Sequence, residues 1–337
     1  MSDRARVILT VTLNAALDVT YVVDALRPGT THRVRSVAER AGGKGVNTAR
    51  VLTHLGEETL ALGLAGGAAG AALRADLDAS GIPHRFAPVA GQTRRTLAVV
   101  SREHAGEHAG EHAGGRRGEV TGLWEPGPVV TDEEWQAFVR DCFTPALDRA
   151  SAVVLSGSLP PGVPGDAYTQ LVRLAAEAGV PALVDADGPA LRAALTAAPA
   201  LVKPNAEEAR RALGAATAAP ELPAGLPAAL VAAGARAAVV SAGADGLTAC
   251  WNGERLRLAP PRAVSGNPTG AGDAASAALA LALARDTPPA EALADAVALS
   301  AAAVAAPLAG DFDPDLYAEL TALLRTELEL PPCPSSR

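Results

Sequence analysis

The chain contains 29 basic residues, and only two of them, Lys44 and Lys203, are lysine. A lysine places a compact ammonium group on a flexible stem, which the planar guanidinium of arginine does not always replace. Lys44 lies in a Gly-Gly-Lys-Gly turn and Lys203 precedes Pro-Asn, so each lies in a short polar segment between apolar residues. We therefore expect both lysines where phosphate or a metal ion is handled. The alternative is that they are two ordinary surface residues.

The segment 266–274, Gly-Asn-Pro-Thr-Gly-Ala-Gly-Asp-Ala, leads into an alanine-rich helix. The N–H groups of Gly270, Ala271 and Gly272 would point outward at the helix N-terminus, where the helix dipole favours an anion. Asp273 would be out of place in a site that only binds anions. It suits a base that takes a proton from an attacking hydroxyl. The alternative is a helix N-cap after a glycine turn.

Asn205 and Glu208 follow Lys203 and Pro204 at the end of a predicted strand. An amide and a carboxylate three residues apart lie on the same side of a first helical turn. Their oxygen atoms could hold Mg²⁺ and its waters, which usually accompany a nucleoside triphosphate. The alternative is a capping arrangement for the following helix.

Two further polar loops follow predicted strands. The loop 241–246, Ser-Ala-Gly-Ala-Asp-Gly, suits a turn around nucleotide phosphates or merely a hairpin. The loop 156–162, Ser-Gly-Ser-Leu-Pro-Pro-Gly, follows a buried strand. Open α/β sheets bind ligands at the carboxyl ends of their strands, so both loops are candidate binding sites.

The composition excludes several classes of function. A net charge of −8 and a pI near 5.3 argue against nucleic-acid binding, which usually needs a basic stripe. No apolar run reaches the ~20 residues that span a bilayer, so we expect no membrane partner. Cys142, Cys250 and Cys333 are far apart and suggest neither zinc nor a disulfide framework. This cysteine usage favours a cytoplasmic protein.

Strand-like apolar runs alternate with amphipathic helical runs through most of the chain, which predicts an α/β fold with a mostly parallel sheet covered on both faces. The predicted strands are 7–13, 152–156, 182–185, 200–202 and 237–241. The predicted helices are 46–55, 166–178, 189–196, 206–213, 271–284, 290–305 and 315–328.

The segments 19–40 and 85–128 interrupt this alternation with a β pattern and no clear helix, so we expect them to form a small β-sheet lid. Within the second, residues 103–114 repeat Glu-His-Ala-Gly three times. The histidines would share a helix face and could hold a metal, but glycine at every fourth residue opposes the helix. An insertion in an exposed turn is the preferred interpretation. The predicted α/β core comprises residues 1–18, 41–84 and 129–330, and residues 331–337 form a predicted flexible tail.

Together these motifs resemble the ribokinase-like (PfkB) sugar kinases. The match also includes residues 10–18, Thr-Val-Thr-Leu-Asn-Ala-Ala-Leu-Asp, and residues 42–47, Gly-Gly-Lys-Gly-Val-Asn. These two segments are similar to the hexose-phosphate branch, which contains 1-phosphofructokinase, tagatose-6-phosphate kinase and the minor 6-phosphofructokinase. The resemblance implies a three-layer α/β/α core with a β-sheet lid, and ATP-dependent phosphorylation of a ketohexose phosphate.

The resemblance also implies roles for individual residues. Asp273 would be the catalytic base, and Gly270, Ala271 and Gly272 the anion hole. The implied acceptor-binding residues are Asp18, Gly42, Gly43, Lys44, Asn47, Arg94 and Ser158, with Lys44 and Arg94 on the phosphate that the sugar already carries. The implied ATP-binding residues are Lys203, Ser241, Gly243 and Gly246. Asn205 and Glu208 would position Mg²⁺, through water. A homodimer through the lid is the implied assembly.

The sequence departs from the pattern of the branch at Ala15, Thr96, Trp124 and Asp187, where Pro, Asn, Asn and Ser are frequent. Several of these positions lie on the sugar side, so fructose 1-phosphate, fructose 6-phosphate and tagatose 6-phosphate all stay open as acceptors. A kinase for an unphosphorylated sugar, nucleoside or cyclitol is the nearest alternative. A non-catalytic sugar-phosphate sensor is a more distant one.

Overall fold

The computed structural model describes residues 7–101, 120–214 and 225–328. The Glu-His-Ala-Gly repeat, residues 103–114, and the predicted tail, residues 331–337, lie outside these ranges, so the expectations for them stay predictions.

The described residues form strands and helices in alternation along most of the chain. The strands are β1 (Val7–Thr12), β2 (Ala16–Val23), β3 (Ser36–Gly42), β4 (Thr59–Ala65), β5 (His84–Pro88), β6 (Arg94–Ser101), β7 (Val120–Trp124), β8 (Ala150–Ser156), β9 (Ala182–Asp185), β10 (Leu201–Val202), β11 (Ala238–Ser241), β12 (Leu247–Trp251) and β13 (Glu254–Leu258). The α-helices are α1 (Lys44–His54), α2 (Gly67–Ala79), α3 (Asp132–Ala137), α4 (Thr144–Leu147), α5 (Ala167–Glu177), α6 (Gly188–Leu195), α7 (Ala206–Leu213), α8 (Leu226–Ala232), α9 (Ala271–Arg285), α10 (Pro289–Ala305) and α11 (Pro314–Glu327). A π-helical turn, Phe138–Phe143, joins α3 to α4.

The larger sheet has nine strands in the spatial order β13-β12-β11-β10-β9-β8-β1-β4-β5. Every neighbouring pair from β11 to β5 is parallel, whereas β12 and β13 add an antiparallel edge. Parallel strands joined by helical crossovers bring the carboxyl ends of the strands to one side of the sheet. The polar loops predicted to bind ligands therefore lie along one edge.

Helices cover both faces of the larger sheet. Alternate residues of β1 point to opposite sides, so Leu9 and Val11 pack into one apolar cluster and Ile8 into another. The second cluster is filled mainly by alanine and leucine side chains of α9 and α10, which are buried on most sides. The predicted three-layer core with a mostly parallel sheet is confirmed.

The smaller sheet has four strands in the order β3-β2-β6-β7. β2 pairs antiparallel with β3 and parallel with β6, and β6 pairs antiparallel with β7. Its first strand begins at Ala16 and β3 ends at Gly42, just before α1 starts at Lys44. The glycine turn around Lys44 thus joins the smaller sheet to the core.

The structure differs from the sequence-based boundaries in several places. β2 begins at Ala16 and β3 ends at Gly42, so the smaller sheet extends beyond the predicted lid segment 19–40 on both sides. β5, expected in the lid segment 85–128, instead pairs with β4 at the edge of the larger sheet, because its apolar residues Phe86 and Ala87 pack into the core. β4 and α2 were not predicted individually, since the segment 59–79 is rich in Gly and Ala, which distinguish poorly between strand and helix.

Within the described ranges, no helix is both long enough and apolar enough to span a bilayer.

Candidate active site

Two ammonium groups converge on one buried carboxylate at the carboxyl ends of β9 and β10. Asp185 is the last residue of β9, Lys203 directly follows β10, and Lys44 is the first residue of α1. Lys44 Nζ lies 2.9 Å from Asp185 Oδ1, and Lys203 Nζ lies 2.9 Å from Asp185 Oδ2. Ser276 Oγ, from α9, donates a 3.0 Å hydrogen bond to the same Oδ2. One carboxylate therefore connects four elements of the core.

The charges in this cluster are mutually stabilising. Burial would raise the pKa of Asp185, but the ammonium groups of Lys203 and Lys44 outweigh it and lower this pKa to about 2. The Asp185 carboxylate raises the pKa of Lys44 above its ordinary value, against the effect of burial. Asp185 and Lys44 are therefore both ionised at neutral pH.

Sequence reasoning missed Asp185 as a site residue and used it only to mark the end of a strand. A usable signal was present. Aspartate is rarely buried unless it is paired, and this one directly follows the apolar residues of a short strand. It also occupies the edge of the sheet where α/β folds bind ligands.

Asp273 lies in the first turn of α9 and is almost fully buried. Its Oδ2 accepts a 2.8 Å hydrogen bond from Asn47 Nδ2, and its backbone oxygen accepts one from Thr48 Oγ1 at 3.2 Å. Burial, with the nearby charge of Asp185, raises the pKa of Asp273 to about 7, although Asn47 and both lysines act in the opposite direction. A carboxyl group with this pKa can accept and release a proton at neutral pH.

The turn before α9 has the backbone that an anion site requires. Gly270 adopts a left-handed conformation with φ +88°, and a Cβ there would lie 2.9 Å from Ala309 Cα. A Cβ at Gly272 would lie 3.5 Å from Lys203 Nζ, so the turn and the lysine adjoin one another. The N–H of Gly272 and its neighbours belong to the first turn of a 15-residue helix. The Ala271 amide donates a 3.3 Å hydrogen bond to Pro268 O. Amides at a helix start beside an ammonium group suit a phosphoryl group.

Asn205 and Glu208 form the capping box of α7, as the alternative interpretation expected. Asn205 Oδ1 accepts from the amides of Glu207 and Glu208, and Glu208 Oε2 accepts from the Asn205 amide. Glu208 Oε1 lies 3.3 Å from Lys44 Nζ. Because these oxygens already accept hydrogen bonds, their remaining lone pairs fit Mg²⁺ through bridging water better than directly. Among the described residues, no cluster of three or more His, Cys, Asp or Glu is arranged for a metal.

A second polar group lies on the smaller sheet. Asp18 pairs in register with Thr96, whose Oγ1 donates to Asp18 Oδ1, and Arg94 lies two residues from Thr96 on the same face. Burial raises the pKa of Asp18, while Thr96, Arg94 and Arg40 oppose the rise. A Cβ at Gly42 would lie 1.9 Å from Asp18 Oδ2, so only glycine allows this carboxylate to occupy its position.

The sequence predicted that Lys44 and Arg94 share the phosphate of the acceptor, but their contacts differ. Lys44 contacts Asp185 and Glu208, whereas Arg94 Nε donates to the backbone oxygen of Asn14 at 3.0 Å. The flexible side chain of Lys44 thus contacts two carboxylates, Asp185 at the end of β9 and Glu208 in α7. Lys44 therefore shares Asp185 with Lys203, and its contact with the phosphate of the acceptor stays a prediction.

Asn14 connects the smaller sheet to the core and was not predicted as a site residue. Its Nδ2 donates to Ser158 Oγ at 3.0 Å and to the backbone oxygen of Pro126 at 3.1 Å. Asn14 therefore holds Ser158, which is predicted to bind the acceptor, close to Pro126 in the segment after β7. Gly43, at the start of α1, has φ +109°, and a Cβ there would lie 2.7 Å from Thr12 Cγ2.

The predicted nucleotide loop follows β11. Ser241 forms a β-bridge with Asn205, so this loop adjoins α7 and its capping box. Gly246 has φ +82°, and a Cβ there would collide with Leu258 O of β13. Its packing against β13 is therefore sufficient to explain the glycine. Gly243 has φ +60° with open space around it, which leaves room for a ligand.

The loop between α10 and α11, residues 306–313, contacts both the smaller sheet and the glycine turn before α9. Arg40 of β3 donates to Asp311 Oδ1 at 2.6 Å, to Asp311 Oδ2 at 3.0 Å and to Ala309 O at 3.1 Å. Ala309 lies against Gly270, as described above. A Cβ at Gly310 would lie 3.4 Å from Asn47 Cα, so the loop also packs on the helix that carries Asn47. One loop therefore joins the smaller sheet to the glycine turn.

Comparison with known proteins identifies the family. A model of the pfkB family carbohydrate kinases matches residues 10–111 and 120–316. Phosphofructokinase-2 from Escherichia coli, in complex with potassium, is 28% identical over 95% of this chain and 99% of that chain, with a TM-score of 0.83. The same enzyme in complex with fructose-6-phosphate gives 28% identity over the same shares and a TM-score of 0.80. A possible 1-phosphofructokinase from Thermotoga maritima is 25% identical over 94% and 98%, with a TM-score of 0.80.

The matched segments contain both the Asp185 cluster and the glycine turn before α9, and they cover well over half of the sequence. This chain therefore belongs to the pfkB family of carbohydrate kinases and is a phosphotransferase that acts on a sugar hydroxyl.

Proposed function

We propose that this kinase transfers the γ-phosphoryl group of ATP to a hydroxyl of a phosphorylated ketohexose. Fructose 1-phosphate, fructose 6-phosphate and tagatose 6-phosphate are the acceptors considered. The similarity to phosphofructokinase-2, which was crystallised with fructose-6-phosphate, supports an acceptor of this class.

The observation that carries the proposal is the position of Asp273. A buried carboxyl group with a pKa of about 7 lies at the start of α9, one residue after Gly272, which adjoins Lys203. A base and a set of anion-binding groups are thus side by side, as in-line phosphoryl transfer requires.

In the proposed reaction, Asp273 takes the proton of the acceptor hydroxyl. The hydroxyl oxygen forms a bond to the γ-phosphorus, and the bond from that phosphorus to the bridging oxygen breaks, releasing ADP. The amides of Gly270, Ala271 and Gly272, with Lys203 and Lys44, stabilise the charge on the transferred group. Ser241, Gly243 and Gly246 line the nucleotide side.

Mg²⁺ would be held through water by Asn205 and Glu208 and would neutralise charge between the β- and γ-phosphates. If Glu208 has this role, Glu208→Gln should raise the Mg²⁺ concentration required for half-maximal activity. An unchanged requirement would contradict it.

On the acceptor side, Asp18, Gly42, Gly43, Asn47 and Ser158 are the proposed contacts of the sugar. Arg94 is the proposed contact of the phosphate that the acceptor already carries. Burial lowers the pKa of Arg94, and the negative charge of Asp18 opposes this shift. An anionic ligand would add a second neutralising partner for this guanidinium.

One observation favours the second candidate, a kinase of an unphosphorylated sugar. Arg94 already donates to the backbone oxygen of Asn14 and lies near the Asp18 carboxylate, so it has partners without a phosphate. A neutral acceptor would leave these contacts unchanged.

The first test is ADP release with Mg·ATP and five acceptors in parallel: fructose 1-phosphate, fructose 6-phosphate, tagatose 6-phosphate, free fructose and free tagatose. We expect turnover with one phosphorylated ketohexose and little with the free sugars. Turnover only with a free sugar would support the second candidate.

Arg94→Met tests the phosphate contact, with Arg95→Met as the matched control. Losing a hydrogen bond to a charged group costs about 1.5–3 kcal/mol, so KM for the sugar phosphate should rise roughly 10- to 100-fold. Arg95 lies on the opposite face of β6 and pairs with Glu125 in an exposed ion pair, so its replacement should leave KM nearly unchanged. Equal effects of the two variants would exclude a specific phosphate contact.

A second copy of the chain is the proposed partner, and it binds through the lid. In the described part of the chain, β3 and β7 are the edge strands of the smaller sheet and carry exposed apolar side chains, Val37 and Val120. Unpaired edges of this kind favour association. A tetrameric form is known for phosphofructokinase-2 from E. coli. Sedimentation of Val37→Asp and Val120→Asp should show a smaller species than the wild type. We also propose a cytoplasmic location, which cell fractionation tests.

A further inference from the structure

Trp124 ends β7, and its side chain is 80% exposed. β6 and β7 pair Thr96 with Trp124, and β2 and β6 pair Asp18 with Thr96. Residues directly opposite one another on neighbouring strands point to the same face of a sheet. Trp124 therefore lies on the face that carries the Asp18 carboxylate, two strand spacings or about 10 Å away.

The indole lies back along its own strand. A Cβ at Gly122 would lie 3.3 Å from Trp124 Nε1, so the ring covers the position where a side chain at 122 would stand. Glycine at 122 thus permits the ring to lie over the sheet rather than extend away from it. The ring presents a flat apolar surface on the same side as Asp18.

Small side chains line the face of the sheet beside Asp18 and Trp124. Thr96 lies between them, and its hydroxyl is directed to Asp18. The next register row on this face consists of small residues, namely Ala38, Thr20, Ala98 and Gly122. A carboxylate therefore flanks a shallow surface on one side and an aromatic ring flanks it on the other.

Packing among residues 7–101, 120–214 and 225–328 does not account for Trp124. The other two tryptophans, Trp135 and Trp251, are 1% and 9% exposed and belong to the core clusters. Burying an aromatic ring is strongly favourable, so an indole that the described residues leave uncovered is suited to a ligand. Sugars combine hydroxyl rims with apolar C–H faces, which match a carboxylate and a ring respectively.

We propose that Trp124 is a specificity-determining residue whose indole packs against the C–H face of the acceptor ketohexose phosphate, opposite the hydroxyl contacts of Asp18. This inference rests on the proposed function. In it, Arg94 recognises the charge of the acceptor and Trp124 recognises the shape of its carbon skeleton.

The test compares Trp124→Ala, Trp124→Phe and the control Leu123→Ala in steady-state kinetics. Leu123 is the preceding residue of β7, 58% exposed, on the opposite face of the sheet. We expect Trp124→Ala to raise KM for the acceptor about tenfold, which corresponds to about 1.4 kcal/mol, with KM for ATP nearly unchanged. Trp124→Phe should recover most of the loss, and Leu123→Ala should match the wild type. An unchanged acceptor KM in Trp124→Ala would overturn the inference.

Sedimentation of the same variants distinguishes a ligand contact from a subunit contact. If the KM of Trp124→Ala rises only where the protein dissociates, and recovers at higher protein concentration, the indole serves the subunit interface and the inference is wrong. The proposed function fails separately, when the wild type consumes no phosphorylated ketohexose. If a free sugar reacts instead, the ratio of its KM between Trp124→Ala and wild type still decides the role of Trp124. If no acceptor reacts, both proposals are overturned.

Discussion

Asp185 and Asp273 are two buried aspartates in one site, and their surroundings give them opposite protonation behaviour. Asp185 has an ammonium group at each carboxylate oxygen, which holds its pKa at about 2. Asp273 has one amide donor, from Asn47, and its burial raises its pKa to about 7. Pairs of carboxyl groups whose environments separate their pKa values typically divide acid–base and electrostatic roles. This pattern supports the proposal that Asp273 transfers the proton while Asp185 provides a fixed charge.

The pKa of Asp273 predicts an acid limb in the pH–rate profile. A protonated Asp273 cannot accept the hydroxyl proton, so kcat/KM should fall about tenfold per pH unit below about pH 7. The measurement is kcat/KM from pH 5 to 9 with the best acceptor. Asp273→Asn is the control, with kcat lower by orders of magnitude and no inflection near pH 7. A flat wild-type profile, or near-normal turnover in Asp273→Asn, would exclude this residue as the base.

At the residue scale, the sequence predicted the groups of the site better than their partners. The Gly-Ala-Gly-Asp turn could be interpreted because its residues are consecutive and their amides necessarily share a helix start. The partner of Lys44 could not be predicted from the sequence, because the strand order decides which carboxylate lies within reach of this flexible side chain. The identification of Asp185 needed β9 and β10 to be neighbours, which no local pattern states.

Among the elements, α9 depends on the conformation of the turn that precedes it. Gly270 has φ +88° and packs directly on the backbone at Ala309, while Asp273 occupies the first turn of the helix. The direction of the helix start, and with it the direction of the proposed anion-binding amides, is therefore set by one glycine.

Gly270→Ala should reduce both stability and turnover, with Gly253→Ala as the control. Both glycines have positive φ, so each substitution should destabilise the folded state by about 1–2 kcal/mol through the left-handed conformation. Only at Gly270 would the new Cβ also collide with backbone, at 2.9 Å, since Gly253 has nothing within 4 Å. We expect a larger stability loss for Gly270→Ala in urea unfolding, and a kcat reduced at least about tenfold. Equal unfolding and kinetic results for the two variants would contradict this account.

Most elements of the core were predictable because strands and helices alternate with distinct hydrophobic periods. The elements that were not predicted individually are β4, β12, β13, α2, α3, α4 and α8, and β5 was assigned to the lid. Glycine and alanine are small enough to suit either a buried strand or a buried helix, so 59–79 gave no clear periodicity. β5 has a strand pattern, and only its pairing with β4 reveals that it belongs to the larger sheet.

Across the whole molecule, the Asp185 cluster connects parts that are distant in the sequence. Lys44 comes from α1, Lys203 from the loop after β10, and Ser276 from α9, which packs in the same apolar cluster as α1. An ion cluster buried at such a junction couples the stability of the fold to the charge of the site.

Asp185→Asn should lower the free energy of unfolding by about 3–5 kcal/mol, because it leaves two ammonium groups without their common partner. Glu319→Gln, which breaks an exposed pair with Arg262, should cost under about 1 kcal/mol. Since the folded-state pKa of Asp185 is lowered from 3.8 to about 2, its stabilising effect is present above the unfolded value and is lost as pH falls through about 2. Urea unfolding at pH 7 measures both variants, and a similar loss in each would rule out a special role for the cluster.

The Arg40 contact with Asp311 and Ala309 has a consequence for how this enzyme can evolve. The same loop supports Gly270, so a change at Ala309 or Gly310 acts on the acceptor side and the phosphoryl side together. Selection for a new sugar is therefore constrained in this loop, where every gain on one substrate alters the handling of the other. Trp124 ends β7, which lies at the opposite edge of the smaller sheet from β3, the strand that carries Arg40. If Trp124 contacts the acceptor as proposed, we expect acceptor preference to change more readily on this outer strand than at the loop beside Gly270.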